Sequence, residues 1–322
     1  MRTIARYFTT FFLTLFLFGC EKDITLNLPA NPPLLVVEAR MDLGEPPLVI
    51  LTKSQGYFAP TDLSTFEKSI VTDAEVEVSD GVQTQKLSVI CSTDSLLQPF
   101  LPQISTATGI PLEQLTQIKY CIYTGISGTL LGQAGKTYTL TIRHENKTYT
   151  AQSTLPTPIP LDTIYWKENK NKTNLSDPIP YLGFLHCRLT DPPGMGNCYR
   201  LFARRITKDR RFLTLNRSVF EDKFFDGKTF DFDVFRAQEP NSTKPEDTGR
   251  QRFNYLPTDT VIVKYCTIDR DLFEFYRSFG VEVGNNGNPF STPAVIKTNI
   301  KGGALGVWAT YGTSLDTVYL SR

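Results

Sequence analysis

Ala74-Glu75-Val76-Glu77-Val78-Ser79-Asp80-Gly81 sets the reading of the fold. Small or apolar residues alternate with polar ones, the two-residue period of a strand with one buried face. Asp80-Gly81 supplies the turn signal for a hairpin into Gln85 to Ile90. Upstream, Leu34-Leu35-Val36-Val37-Glu38-Ala39 and Leu48-Val49-Ile50-Leu51-Thr52 are further β-rich runs. Downstream, Tyr138 to Ile142 and Thr148 to Ala151 pair around Glu145-Asn146. About seven strands in about 125 residues predict an N-terminal immunoglobulin-like β-sandwich over 34–154.

Leu155-Pro156-Thr157-Pro158-Ile159-Pro160 reads as a stiff linker, placed at 155–161, with a second β-rich domain over 162–322. There, Tyr181 to Leu189 and Cys198 to Arg205 flank a turn from Asp191 to Asn197, and Phe224 to Phe230 reads as a second hairpin. Thr260 to Ile268 is a long strand. One short amphipathic helix follows, capped by Asp269, with Leu272, Phe275, Tyr276 and Phe279 on one face and Gly280 at its end. The C-terminus returns to strands, Gly303 to Tyr311 and Asp316 to Leu320. In Gly302-Gly303-Ala304-Leu305-Gly306 the glycines suit a bulge or close backbone packing rather than a phosphate loop, which would need a Lys-Ser/Thr ending.

The N-terminus differs in kind. Arg2 and Arg6 precede an apolar run, Phe8 to Phe18, that is shorter than the about 20 residues a spanning helix needs. Residues 1–19 have the charge and length of a secretory leader. Leu17-Phe18-Gly19-Cys20 resembles a bacterial lipobox, with cleavage before Cys20 and lipid on its thiol; Phe18 is bulkier than usual there. Residues 20–33 then form a lipidated tether, and the membrane is a partner through that lipid alone. Glu21-Lys22-Asp23 resembles a surface-export signal, and a solvated linker start accounts for it equally well.

Without the leader, 32 basic residues face 33 acidic ones, so the formal charge falls from +1 to −1. That balance does not suit a chain that tracks nucleic acid. Composition with 40% hydrophobic and 12% aromatic residues supports packed cores and argues against wholesale disorder. Export permits oxidation of Cys91, Cys121, Cys187, Cys198 and Cys266. Cys91 with Cys121 is the first expected disulfide, closing a Pro-rich excursion whose length suits either ligand binding or a capped edge. Cys187 with Cys198 is the second expected pair, leaving Cys266 free and buried; sequence alone leaves the connectivity open. No CxxC occurs, which argues against zinc.

Catalytic signals are sparse. His144 sits at a polar hairpin turn and is expected to be solvated, and His186 lies beside Cys187 on a strand and is expected to be structural. No HExxH, GxSxG or P-loop occurs. Asp222, Asp226, Asp231 and Asp233 cluster around a turn and are weak calcium candidates, because their spacing fits no known loop. No cofactor is expected.

Several landmarks together resemble a Bacteroidota lipoprotein family of unknown function, the domain-of-unknown-function family four-two-four-nine. They include Val36-Val37-Glu38-Ala39, Leu51-Thr52-Lys53-Ser54 and Asp191-Pro192-Pro193-Gly194 with Asn197-Cys198-Tyr199-Arg200. Phe225-Asp226-Gly227, Asn288-Pro289-Phe290-Ser291-Thr292-Pro293 and Asn299 to Trp308 continue the match. Cys198 replaces the usual Tyr and Ala39 the usual Gly. The resemblance implies an outer-membrane location, often with a TonB-dependent transporter encoded nearby, and no established activity. The expected function is therefore a non-enzymatic, surface-exposed binding or accessory lipoprotein of a TonB-dependent transport system, its ligand unidentified. A structural or adhesive envelope protein is the alternative, and a secreted hydrolase with a cryptic carboxylate pair a further one.

Overall fold

A computed structural model describes residues 32–56, 62–95, 112–125, 130–214, 218–239, 242–285 and 295–321, with single positions 98, 101 and 105. The leader, Cys20 and the tether up to residue 31 lie outside the described residues, as do parts of the Cys91–Cys121 excursion and the motif 288–293. Residues from Pro33 onward form one compact unit.

The architecture is mainly β, as two sandwiches. In the first, β3 (Glu75–Ser79) buries Val76 and Val78 completely and turns Glu75 and Glu77 outward. Its neighbours are β4 (Thr84–Lys86) and β7 (Thr137–His144), and β8 (Lys147–Thr154) completes a four-stranded sheet in the order β4-β3-β7-β8. On the wet face, Arg143 bonds Glu77 at 2.9 Å and Lys86 bonds Glu75 at 2.7 Å, cross-strand pairs that hold the register. Glu145 and Asn146 both adopt positive φ, as a two-residue hairpin turn of the favoured twist demands.

The facing sheet contains β1 (Leu35–Asp42), β2 (Leu48–Lys53), β6 (Cys121–Thr124) and β5 (Ser88–Cys91). The expected run Gln85 to Ile90 is thus not one strand. Its chain pairs with β3 as far as Lys86, buries Leu87, and crosses to pair with β6. Short helices α1 (Leu63–Ser69) and α2 (Leu112–Leu115) lie in the connections, where Leu115 and Ile118 pack with Ile50 and Ile122.

The second sandwich sets β9 (Thr163–Glu168), β10 (Gly183–Thr190) and β13 (Thr229–Val234) in one sheet. Opposite stand β12 (Val219–Glu221), β11 (Cys198–Arg205) and β14 (Thr260–Ile268). Leu185, Cys187 and Leu189 alternate inward from β10 to meet Tyr199, Leu201, Val263 and Tyr265. The two expected hairpins are corrected here. Strand β10 pairs with β9 and β13, whereas β11 pairs with β12 and β14, so the turns after β10 and β12 are arches between sheets. Alternation is satisfied by either arrangement, and aromatic packing between the sheets favours the arches.

The last strand, β15 (Leu305–Tyr319), alters the expected division at 155–161. Its first half runs parallel to β1, Val36 opposite Leu305 through Asp42 opposite Tyr311. Its second half runs antiparallel to β14. Trp308, fully buried, therefore sits in the core of the first sandwich with Ile300 and Ala304, and its indole N–H donates to the Tyr138 carbonyl at 3.0 Å. Gly306 makes this possible: at φ +103, a Cβ there would lie 1.9 Å from the Val37 carbonyl oxygen. The glycines of this segment do allow close backbone packing.

A third helix, α3 (Pro245–Thr248), is brief; the fourth, α4 (Arg270–Asn285), covers the joint between the sandwiches. Asp269 caps it, accepting from Leu272 N–H at 2.9 Å. The helix continues past Gly280, the expected end, because that glycine is on the buried face with Leu272 and Phe273, while Phe279 stays 45% exposed. Beneath α4, the Arg200 guanidinium lies over the Tyr276 ring at 3.2 Å and donates to the Tyr311 hydroxyl.

Candidate functional site

Asp191-Pro192-Pro193-Gly194-Met195-Gly196-Asn197 carries the chain from β10 to β11, and Asp222 to Lys228 carries it from β12 to β13. The two arches clasp each other through carboxylates. Asp222, buried, accepts from Gly196 N–H at 2.8 Å and from Asn197 N–H at 2.8 Å. Asp226 accepts from Gly194 N–H at 2.7 Å. Asp191, also buried, accepts from the Tyr199 hydroxyl and from Gly227 N–H. Burial, and then the Asp191 carboxylate, push the Tyr199 phenol well up, which keeps it a donor. Gly194 and Gly196 hold φ near +120, open to glycine, and so can aim their N–H groups at the carboxylates.

Oxygens of Asp191, Asp222 and Asp226 lie within 4.8 Å of one another. This is the oxygen chemistry a hard cation takes. Each of the three carboxylates is nonetheless already engaged by N–H or O–H donors, which is sufficient reason for the cluster as a clasp.

The expected four-aspartate cluster divides accordingly. Asp222 and Asp226 come together with Asp191, a residue absent from the expected set although it opens the Asp-Pro-Pro-Gly landmark. Asp231 and Asp233 do not join them. On β13, Phe230 and Phe232 turn into the core, so Asp231 and Asp233 point to the opposite face. There Arg188 grips Asp231 with two bonds of 2.7 and 3.0 Å, and the hydrogen bond and charge hold that carboxyl below its usual range. His186 bonds Asp233 at 2.6 Å and packs on Tyr165 at 5.1 Å between ring centres. His144, expected in solvent, is instead buried at the end of β7, 3.2 Å from Asp73.

Cys91 and Cys121 are directly opposed on β5 and β6 and form a disulfide with their Cα atoms 4.0 Å apart. Cys187, Cys198 and Cys266 are free and buried. The expected Cys187–Cys198 pair is corrected. Cys187 points between the sheets of the second sandwich, whereas Cys198 points from the other face of β11 toward α4. Burial, the dominant cause, pushes these thiols up, Cys187 and Cys266 to about 12 and Cys198 to about 11, so all three are protonated at neutral pH.

A family model described as Domain of unknown function (DUF4249) matches residues 21–314. No curated protein and no solved structure matches this chain.

Proposed function

The chain belongs to the DUF4249 family, and from that premise we propose that it is a non-enzymatic lipoprotein of the cell envelope. In this reading Cys20 is acylated at the outer membrane, and the folded body acts as a surface-exposed binding or accessory component beside a TonB-dependent transporter. The observation that carries it is the Gly19-Cys20 boundary at the end of a charged, apolar leader too short to span. From Cys20 to the start of the compact unit at Pro33 there are about a dozen residues, a reach of at most roughly 45 Å. No helix among the described residues is long and apolar enough to cross a membrane. Among the described residues, the converging carboxylates Asp191, Asp222 and Asp226 serve as acceptors for their own loops, which fits a binding scaffold.

Purification of the native protein from membranes in mild detergent tests this. The expected result is co-purification of an outer-membrane transporter. Recovery of the lipoprotein without a transporter would overturn the accessory role.

A further inference from the structure

One end of the second sandwich carries an open cleft of about 570 Å³, formed where the turn after β9, the end of β13 and the loop before β14 meet. Lys172, Arg252, Phe235, Phe253, Asn169 and Asn254 line it. A smaller apolar gap of about 120 Å³ between β11 and β13 is walled mostly by core side chains and belongs to their packing.

Four features set the cleft apart from ordinary surface. The loop is built rigidly: Arg236, 2% exposed, donates to the carbonyls of Asn254 and Glu246 at 2.8 and 2.6 Å and to Asp247 at 2.6 Å. Arg250 ties the opposite wall by donating to the Lys172 and Ile179 carbonyls. Second, Phe253 holds φ +64, a left-handed backbone that a bulky side chain rarely adopts, and the residue remains 39% exposed. Strain of this kind, kept in place by surrounding bonds, concentrates at binding sites. Third, Phe235 is 40% exposed with one side packed on Phe184 at 5.2 Å between ring centres, so two part-covered aromatic side chains reach solvent at the cleft. Fourth, among the described residues no carboxylate pairs with Lys172 or Arg252; Arg252 lies over the Phe253 ring at 4.6 Å.

We propose that this cleft binds an acidic glycan. The apolar C–H face of a sugar ring stacks on Phe253 or Phe235, while a pendant carboxylate or sulfate meets Lys172 and Arg252. Asn169 spends its amide N–H on Asn254 at 3.0 Å and offers its oxygen to a sugar hydroxyl. A cleft this open, with rings about half covered, suits a chain passing through better than an engulfed small molecule, whose sites bury most of the ligand. The inference rests on the reading of this protein as a binding component and names what it would bind.

Affinity electrophoresis of the full chain in detergent tests it, with polygalacturonate, chondroitin sulfate, and neutral galactan and xylan as probes. At low ionic strength at least one acidic polymer should retard the protein, with affinity about tenfold or more above either neutral one. Lys172→Gln with Arg252→Gln should lose about tenfold. Phe253→Gly should lose a similar factor with only a small change in melting temperature, because relief of the left-handed φ +64 offsets part of the lost ring burial. Equal retardation of wild type and the double variant, equal binding of neutral polymers, or no retardation by either acidic polymer would overturn the proposal. Co-purification with a transporter is read independently, so failure here and failure of the anchoring role are distinguishable.

Discussion

Trp308→Ala should unsettle the first sandwich although residue 308 belongs to the last strand of the chain. The side chain is fully buried, and its indole N–H is bonded to a carbonyl 170 residues away in sequence. Its backbone is held as well, by Asn299, whose amide donates to the Trp308 carbonyl at 2.8 Å and whose oxygen accepts from its N–H at 3.0 Å. Truncating a buried tryptophan costs about 3–5 kcal/mol through lost burial and the cavity left. Leaving the Tyr138 carbonyl short of a partner adds about 1 kcal/mol. The total is a large part of the about 5–15 kcal/mol that a folded protein holds in reserve. Urea unfolding at neutral pH reads the magnitude, and amide hydrogen exchange reads the place. Protection should fall first in β3, β7 and β8, with β9, β10 and β13 retaining more. A cost under about 1.5 kcal/mol, or lost protection confined to the second sandwich, would refute the placement of Trp308 in the first core.

Replacing both Cys91 and Cys121 with serine opens a loop closed over a separation of 30 residues and should cost about 3–4 kcal/mol in urea, with an unchanged midpoint counting against the bond. In the native protein, the thiols of Cys187, Cys198 and Cys266 should resist alkylation until unfolding; rapid labelling of any one would contradict its burial. Glu274 is held at about 2, from an ordinary 4.5, first by its bond to Lys297 and then by Arg277. A depressed carboxylate adds stability above its unfolded pKa and loses it as pH falls through the folded value. Glu274→Gln should therefore cost on the order of 1 kcal/mol at about pH 7, with the difference fading between about 4.5 and about 2; a constant difference across that range would be the wrong outcome.

Strand identity was legible wherever one face is wet. The alternation in Ala74 to Ser79, in Tyr138 to Ile142 and in Tyr181 to Leu189 matches which side chains are buried in β3, β7 and β10. Which sheet each strand joins was not legible. A two-residue period says that a strand has an inside, and both sheets of a sandwich offer one, so β10 with β11 and β12 with β13 read as hairpins. The shared strand β15 was hidden for a related reason: pairing of Val36 with Leu305 is set by a parallel contact across almost the whole chain, with no local signature beyond Gly306. For the site, a turn rich in aspartate pointed to Asp222 and Asp226. Asp231 and Asp233 alternate with Phe230 and Phe232 at the two-residue period of a strand, which sends their carboxylates to the face opposite the core. Asp191 required the arch geometry, and the strained Phe253 carries no sequence signal at all.

The central claim is that this body is held at the envelope by its first mature residue. Mass spectrometry of the N-terminal peptide from protein extracted from native membranes tests it most directly. The account predicts a chain that begins at Cys20 and carries acyl chains on that residue. A chain that still begins at Met1, or one cut to an unmodified N-terminus, would contradict it.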